Sequence, residues 1–396
     1  MSTHRNRVKM TVSGTPGTGT ITLGSAVSGY QSAATAYGGN ATIDILVEEG
    51  TAWEVARDCT YTNSGTTVTR GTFEASSTGS AVSFTSAAVV SEILTATKGG
   101  YSETALKGFT PGGRLTLESG VPVSTTDQTA KTSVYYTPYV HNLLSLWDGT
   151  NWVPTEFSET TLALGTLTSG LPYDVFGYLS AGALVLELLA WTNDTTRATA
   201  VTLQEGRYCK SGDKTRLLLG TFYTTSTTTT EDSAGGGSSS VGAKRYLCNV
   251  YNRAARTVAV YDGTASWTNP GTTIRQVRAT AGNKIEVVES IGTGQIALSG
   301  KGLAAFSGTG STFENYNQGI GVDTTTAYST GNYGVYGHNI NADRVVASTT
   351  SFNAVVPAGR HAYNWVENTG GVLTTVTVFG NNGATLRTGV TGSVTT

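Results

Sequence analysis

The sequence predicts an all-β chain of tandem sandwich- or jelly-roll-like domains with one short helical linker. Three observations carry that reading. Fifty of the 396 residues are glycine and only 13% are charged, against ~7% glycine and ~25% charge in an ordinary globular chain. Too few Glu, Lys and Arg remain to cover the solvent face of many helices. Serine and threonine are abundant, and threonine's stiff χ1 suits a pleated strand while its hydroxyl stays wet. Short alternating runs recur along the chain, bounded by turn residues at the spacing expected of sandwiches.

Residues 1–95 read as an N-terminal β-sandwich. Val8–Val12 and Thr20–Leu23 are short strands separated by the turn-rich string SGTPGTG. Ala41–Glu48 is a clean strand that turns at Glu49-Gly50, and Trp53–Ala56 returns as its hairpin partner. Thr67–Arg70 and Ala81–Phe84 continue the alternation. Residues 96–111 are the linker. The stretch AAVVSEILTATKGGYSETALKG around it is the best helical candidate, read as a short helix or as a short oligomeric stalk between two heads.

Residues 112–255 form the expected central domain. Leu115–Leu117 opens it, and Val134–Tyr139 is an aromatic strand interrupted by Pro138. Leu144–Trp147 and Trp152–Pro154 flank an Asp148-Gly149 turn, which marks a hairpin. Tyr173–Tyr178, Leu184–Leu189, Arg216–Tyr223 and Arg245–Tyr251 add strands. The polar run Thr224–Val241 shows no apolar period and reads as a flexible surface loop.

Residues 256–396 form the expected distal head. Val258–Tyr261, Ile274–Arg278 and Lys284–Glu289 alternate. Gly302–Asn339, rich in Gly, Thr, Asn and Tyr, reads as long irregular loops. Gly359–Val366 and Leu373–Phe379 are the strongest strands here, and Asn381-Asn382-Gly383 signals a further turn.

The totals exclude several classes. Six Trp, 19 Tyr and 10 Phe are enough aromatic mass for real cores. A net charge of −2 gives no pull toward nucleic acid or an anionic membrane. No apolar run reaches the ~18 residues of a spanning helix. The opening MSTHRNRVKMTVSG lacks the apolar core of a secretory signal. A protein acting outside a cell would then leave it inside a particle released by lysis. Cys59, Cys209 and Cys248 are far apart and match no metal spacing, which predicts buried thiols; an inter-subunit disulfide stays open as the alternative.

At this point the residues resemble a family. RVKMTVSGTPGTGTITLGSAVSGYQS, followed by a strand pair ending in AWEVA, resembles the N-terminal module of many tailed-bacteriophage virion proteins. GGRLTLESGVPVSTTDQTAKTSVYYTPYV, LWDGTNWV, LELLAWTNDTTRATAVTLQEG and STTTTEDS resemble an uncharacterised phage tail- and fibre-protein module. GRHAYNWVE and GNNGATLRTGVTG resemble its C-terminal end. The resemblance spans nearly the whole chain. It implies a bacteriophage structural protein exposed on the virion, often a homotrimer, that docks on other virion proteins through its N-terminal domain. The expected role is a tail fibre or appendage contacting a host glycan or protein. The alternatives are an architectural decoration, collar or neck protein without receptor binding, and a tailspike depolymerase. No catalytic residue set, cofactor or metal comes with it.

The third alternative calls for paired carboxylates. Glu48, Glu49, Glu156, Asp174, Glu187, Asp194, Glu231 and Asp232 are the candidates. The adjacent pair Glu231/Asp232 sits in an expected loop, which does not hold the ~5–10 Å separation of glycosidic catalysis. The chain also lacks the fixed repeat period of a long β-helix. A non-enzymatic protein is therefore expected. His4, His141, His338 and His361 are dispersed, so no metal site is expected. His361, Tyr363 and Trp365 share one strand face, read as core or as a sugar-stacking platform. Two places carry the neutral hydrogen-bonding and aromatic groups of glycan recognition. Trp147, Asn151 and Trp152 flank one turn, and Tyr316, Asn317, Tyr333 and Tyr336 lie in the expected C-terminal loops. The plainer readings are a hairpin with inward-packed tryptophans and a subunit interface.

Overall fold

In the computed structural model, the described residues are 5, 7–93, 95, 110–237, 240–268, 270–307, 313–329, 333–339, 344–370, 375–380 and 388–396. They are almost entirely strand, with one short α-helix, Ala33–Tyr37, and one 3₁₀ turn, Val277–Ala279. The chain divides into two compact units, Met1–Leu106 and Lys107–Thr396. Residues 96–109, which hold nearly all of the expected linker, lie outside the described residues, as does the turn expected at 381–383.

In the first unit the strand pairings close on themselves. Lys9–Ser13 pairs with Ile21–Ala26, which pairs with Thr67–Thr69, which pairs with Ala52–Thr62. Ala52–Thr62 pairs in turn with Ala41–Glu49, then Val89–Glu92, and so back to Lys9–Ser13. All these pairs are antiparallel, and Thr72–Ser76 adds to the free part of Ala52–Thr62. The expected open sandwich is thus a small barrel, which leaves the ring without edges. Two bulges bend the ladders: Arg57 and Asp58 stand against the single Asp44, and Glu74 is the extra residue of Thr72–Ser76 opposite Val55 and Ala56. Asp44 is fully buried and accepts from Asp58 N and Thr95 Oγ1. The interior is filled by Ile21, Ile45, Val47, Tyr61, Val68 and Phe84. The alternation at 81–84 predicts burial correctly, since Val82 and Phe84 are core. It predicts the ladder wrongly, because Phe84 makes only an isolated bridge to Gly17. The helix, not foreseen, is capped by Ser32 Oγ on Thr35 N and ends at Gly38 with φ +66°.

The second unit is not cut at residue 255. An eight-stranded sheet joins Gln128–Lys131, Thr230–Ser233 and Lys244–Arg245 to Lys284–Glu289, Gly359–Thr369, Phe313–Val322 and Tyr333–Asn339, with Arg275–Gln276 alongside. Strands from both sides of the expected boundary therefore share one hydrogen-bonded surface. A six-stranded sheet built on Gln295–Ser307 faces it and contains Ala255–Tyr261, Gly389–Thr395, Thr375–Phe379, Ser266–Thr268 and Arg344–Val355. Between the two sheets pack Ile285, Val287, Ile320, Tyr363 and Trp365 on one side and Val260, Ile296, Leu298, Phe352 and Val390 on the other, as in a β-sandwich. A second core lies among Pro172–Ser180, Ala183–Ala190, Asp213–Tyr223 and the shorter strands near them.

Two expected loops are strands. Thr224–Val241 contains Thr230–Ser233, and Thr224, Thr230 and Asp232 are buried. Their polar atoms find partners inside: Thr224 Oγ1 donates to Thr168 O and Thr230 Oγ1 to Tyr223 O. A threonine whose hydroxyl is bonded can be buried without any apolar period in the sequence. Gly302–Asn339 likewise contains the end of Gln295–Ser307 and two further strands. Its Gly302 makes room rather than a turn, since a Cβ there would meet the buried Gln318 amide at 2.9 Å. No helix among the described residues is long and apolar enough to cross a membrane.

Candidate functional site

The hairpin Leu143–Trp147/Trp152–Glu156 forms as the sequence predicts, with Trp147 opposite Trp152. Asp148 Oδ1 accepts from Thr150 N and Asn151 N at 2.7 Å, and Gly149 takes φ +106°. Those two main-chain donors hold the Asp148 carboxyl below its ordinary pKa. Asn151 is exposed and both tryptophans are half-buried. Their rings meet edge-on at 5.5 Å. Trp152 is largely spoken for: Arg207 lies 4.2 Å from its ring centre, its Nε1 donates to Glu205, and it packs against the core. Trp147 and Asn151 are the groups this hairpin presents.

The second predicted cluster is not brought together on the surface. Tyr316 is buried, 1% exposed, with its hydroxyl donating to Glu367 Oε2, so it is a core residue. Asn317 is half-buried and donates to Asn368 Oδ1. Tyr333 and Tyr336 pair by main chain with Gly319 and Tyr316, and their side chains lie outside the described residues. A strand places neighbouring residues on opposite faces, which is why Tyr316 and Asn317 do not act as one patch. His361, Tyr363 and Trp365 share a face as expected, and that face is the core.

Most of the candidate carboxylates are engaged by cations or hydrogen-bond donors. Asp174 is held by Arg197 and Thr221, and Glu187 by Lys210 and Arg216. Glu49 accepts from Thr85, and Glu48 lies 3.5 Å from Lys9. Glu231 and Asp232, adjacent on a strand, part to opposite sides: Glu231 to Lys244, Asp232 to Arg245 and Arg256. Among the described residues no three His, Cys, Asp or Glu side chains converge as metal ligands would. Cys59, Cys209 and Cys248 are separate buried thiols, and burial pushes Cys59 and Cys209 up to about 11. His4 and the side chain of His338 lie outside the described residues, and His141 Nδ1 accepts from Leu143 N.

The most developed polar site was not legible in the sequence. Arg360, at the start of Gly359–Thr369, separates two adjoining open clefts of 380 and 320 Å³. Asp194, Thr195, Asp323 and Asn364 line the first; Tyr223, Glu231, Lys244, Tyr246, Lys284 and Glu286 line the second. Arg360 bonds Asp194 at 3.0 Å and also bonds Glu286. Lys244 pairs with Glu231 at 2.6 Å and Lys284 with Glu286 at 3.1 Å. Asp194 is placed by a turn in which Asn193 Oδ1 caps Thr195 N and Thr196 N, and Asp194 O accepts from Arg360 N. The Arg360 guanidinium lies 5.0 Å from the Tyr223 ring, which leans on Tyr246 at 4.9 Å.

Every charge of the clefts has a partner: Lys244, Lys284 and Arg360 pair with Glu231, Glu286 and Asp194, and Asp323 with His361. Burial, then Arg360 and Lys244, lower the Lys284 ammonium below its ordinary pKa. Burial pushes the Tyr246 hydroxyl up to about 12. Behind the first cleft the buried His361 Nδ1 lies 2.8 Å from Oδ2 of the lining Asp323, and Ala362 N donates to Asp323 Oδ1. The hydrogen bond to Asp323 raises the His361 pKa against its burial. The sequence offers Asp194 and Glu231 as separate candidate carboxylates and places Glu231 and Asp323 in expected loops, with nothing to join them to Lys244, Lys284 or Arg360. The one local signal is Glu286 inside KIEVVE, a charge between apolar residues of a strand.

No protein-family model matches the chain, and no curated protein matches it. Among solved structures it is similar to a crystal structure of a Bacillus thuringiensis Cry1Da tryptic core variant, at 6% sequence identity and a TM-score of 0.13. The match covers 74% of this chain and 53% of that one, about half its length, and at that TM-score it carries no argument about function.

Proposed function

We propose that this chain is a non-catalytic surface protein of a tailed-bacteriophage particle, a tail fibre or appendage that holds a neutral, hydroxyl-rich host glycan in the Arg360 clefts. The sequence resemblance supports the virion assignment, with self-association as a homotrimer and docking through the N-terminal unit. The observation that carries the binding role is the neutral lattice of paired charges around Tyr223. Lys244, Lys284 and Arg360 are matched by Glu231, Glu286 and Asp194. Paired heads are already oriented, so donor and acceptor stand ready for neighbouring sugar hydroxyls. Their cancelling charge gives an acidic ligand no advantage.

An architectural role without receptor binding is the second reading. The exposed face of Gln295–Ser307 and Arg344–Val355 favours it: Ala297, Ser299, Ala347, Ser351 and Val355 are small or apolar and exposed. Such a face suits packing against neighbouring subunits.

The test is binding of the purified protein to host cells and to a panel of neutral and acidic glycans, with Arg360→Ala and Tyr223→Ala compared. Binding of a neutral glycan that both variants lose supports the receptor reading. Normal particle assembly with no binding leaves the architectural one, and cleavage of host polysaccharide overturns both. Truncation at residue 255 is a poor test, because it removes strands from a shared sheet.

A further inference from the structure

A separate cavity of 240 Å³ lies between the loop 123–127 and the strands Lys244–Arg245 and Ala255–Tyr261. Arg245, Arg256, Ser124, Asp127 and Ala234 are among its walls. Two guanidiniums here share one carboxylate oxygen. Arg245 Nη1 and Arg256 Nη2 bond Asp232 Oδ2 at 2.8 and 2.9 Å. Arg245 spends its other nitrogens on Thr257 O, while Arg256 Nη2 also donates to Ser124 O. Arg114, 1% exposed, adds a third guanidinium bound to the main-chain oxygens of Pro122, Asn252 and Thr396. Burial, and then the charge of Arg256, lower its pKa to about 10. Asp127, exposed, also lines the cavity and accepts from Ala234 N at 2.7 Å. Arg245 and Arg256, both on the lining, have one buried carboxylate, Asp232, between them, which leaves their charge open to a second anion.

An independent observation points the same way. Ser124 is 7% exposed, lines the cavity, and its Oγ has no partner. Asp232 Oδ1 and Gln128 Oε1, on residues adjoining the lining, are buried acceptors without donors. Unmet buried polar atoms are uncommon in folded proteins, and several of them around one cavity call for an occupant. A carboxylate would take the charge of Arg256 at the N–H groups left beside Nη2 and would accept from the Ser124 hydroxyl. A hydroxyl on the same ligand has one proton to give, and would serve one of these acceptors, Asp232 Oδ1 beside Arg256.

We propose that this cavity binds a small hydroxycarboxylate, with its carboxylate on Arg256 and Ser124 Oγ. The site is distinct from the Arg360 clefts, and its success or failure does not depend on the glycan reading. The experiment is calorimetric titration of the whole chain at constant ionic strength with glycolate, acetate and the neutral isostere glycolamide. Glycolate should bind saturably. Acetate, lacking the hydroxyl, should bind about tenfold more weakly, the scale of one good hydrogen bond. Glycolamide should show no saturable binding. Ser124→Ala should weaken glycolate about tenfold by the same reckoning. Should that variant fold poorly, Ala255→Phe, at an exposed wall residue, narrows the cavity from the solvent side and should abolish binding without changing the melting temperature. Absence of saturable glycolate binding, glycolamide binding as tightly as glycolate, or full affinity in the folded variants would each overturn the proposal.

Discussion

The Trp147–Trp152 hairpin and the Arg360 clefts are both polar, partly aromatic surfaces of the same unit, yet they are made in opposite ways. The hairpin draws its groups from one short run of chain, and its register follows from a turn that Asp148 and Gly149 build locally. The clefts draw theirs from Asp194, Tyr223, Lys244, Lys284, Asp323 and Arg360. What joins these is the parallel pairing of Lys244–Arg245 with Lys284–Glu289 and the antiparallel pairing of Lys284–Glu289 with Gly359–Thr369. A local site tolerates damage to the fold around it, whereas an assembled site inherits the stability of every ladder that composes it.

The sharpest break should come from Gly242→Ala. A Cβ at that position would stand 1.5 Å from Lys284 O. The strands carrying Lys244 and Lys284 would have to separate, at a cost above about 4 kcal/mol. Urea unfolding should show the loss, and glycan binding should vanish while the hairpin's own turn chemistry is untouched. A stable, binding-competent variant would mean that the clefts are not held by that ladder.

Arg360→Ala should cost about 3 kcal/mol, because it leaves the buried Glu286 with Lys284 alone. Arg360→Lys should recover part of the stability but not the binding, since an ammonium cannot reach Asp194 and Glu286 as a fork does. Equal behaviour of the two variants, read by denaturant midpoint and affinity, would argue against the forked geometry.

Trp147→Ala should cost about 1 kcal/mol, the scale of one edge-on aromatic pair. Glycan binding at the clefts should be unchanged. A loss of binding with the fold intact would move the recognition site to the hairpin.

The smallest effect is a pH dependence confined to His361 and Asp323. The His361 pKa is raised in the folded chain, so the stability it contributes is fully present below about pH 6.5 and is lost as pH rises through its folded value. Asp323 is lowered, because the bonds from His361 and Ala362 outweigh its burial. Its contribution is present above about pH 3.9 and is lost as pH falls through its folded value. Together they should favour the folded chain most between those limits. Urea midpoints at pH 6 and pH 9 should differ in the parent and converge in Asp323→Asn. An unchanged difference in the variant would remove the pair from the explanation.

The sequence was most informative where structure is local. Ala41–Glu49, Lys284–Glu289 and the 143–156 hairpin stand where their alternation and turn residues place them. It misled where polar residues are buried. Thr224, Thr230 and Asp232 looked solvated because hydrophilicity in a sequence does not reveal that a hydroxyl or carboxylate has a partner inside. Tyr316 looked like binding-loop chemistry for the same reason, since its partner Glu367 lies on another strand.

By itself the sequence determined the all-β class, most strand positions, and which residues alternate toward a core. Those properties depend on side-chain period, turn chemistry and β propensity, each read within a few residues. Tertiary structure alone decided that the first unit closes into a barrel, that residues 107–396 form one unit, and that Arg360 meets Asp194 and Glu286. These depend on which strand edges find each other between segments far apart in the chain, Lys9 with Ser91 or Arg360 with Asp194. No local pattern records that choice, because every strand presents the same main-chain donors and acceptors to any partner.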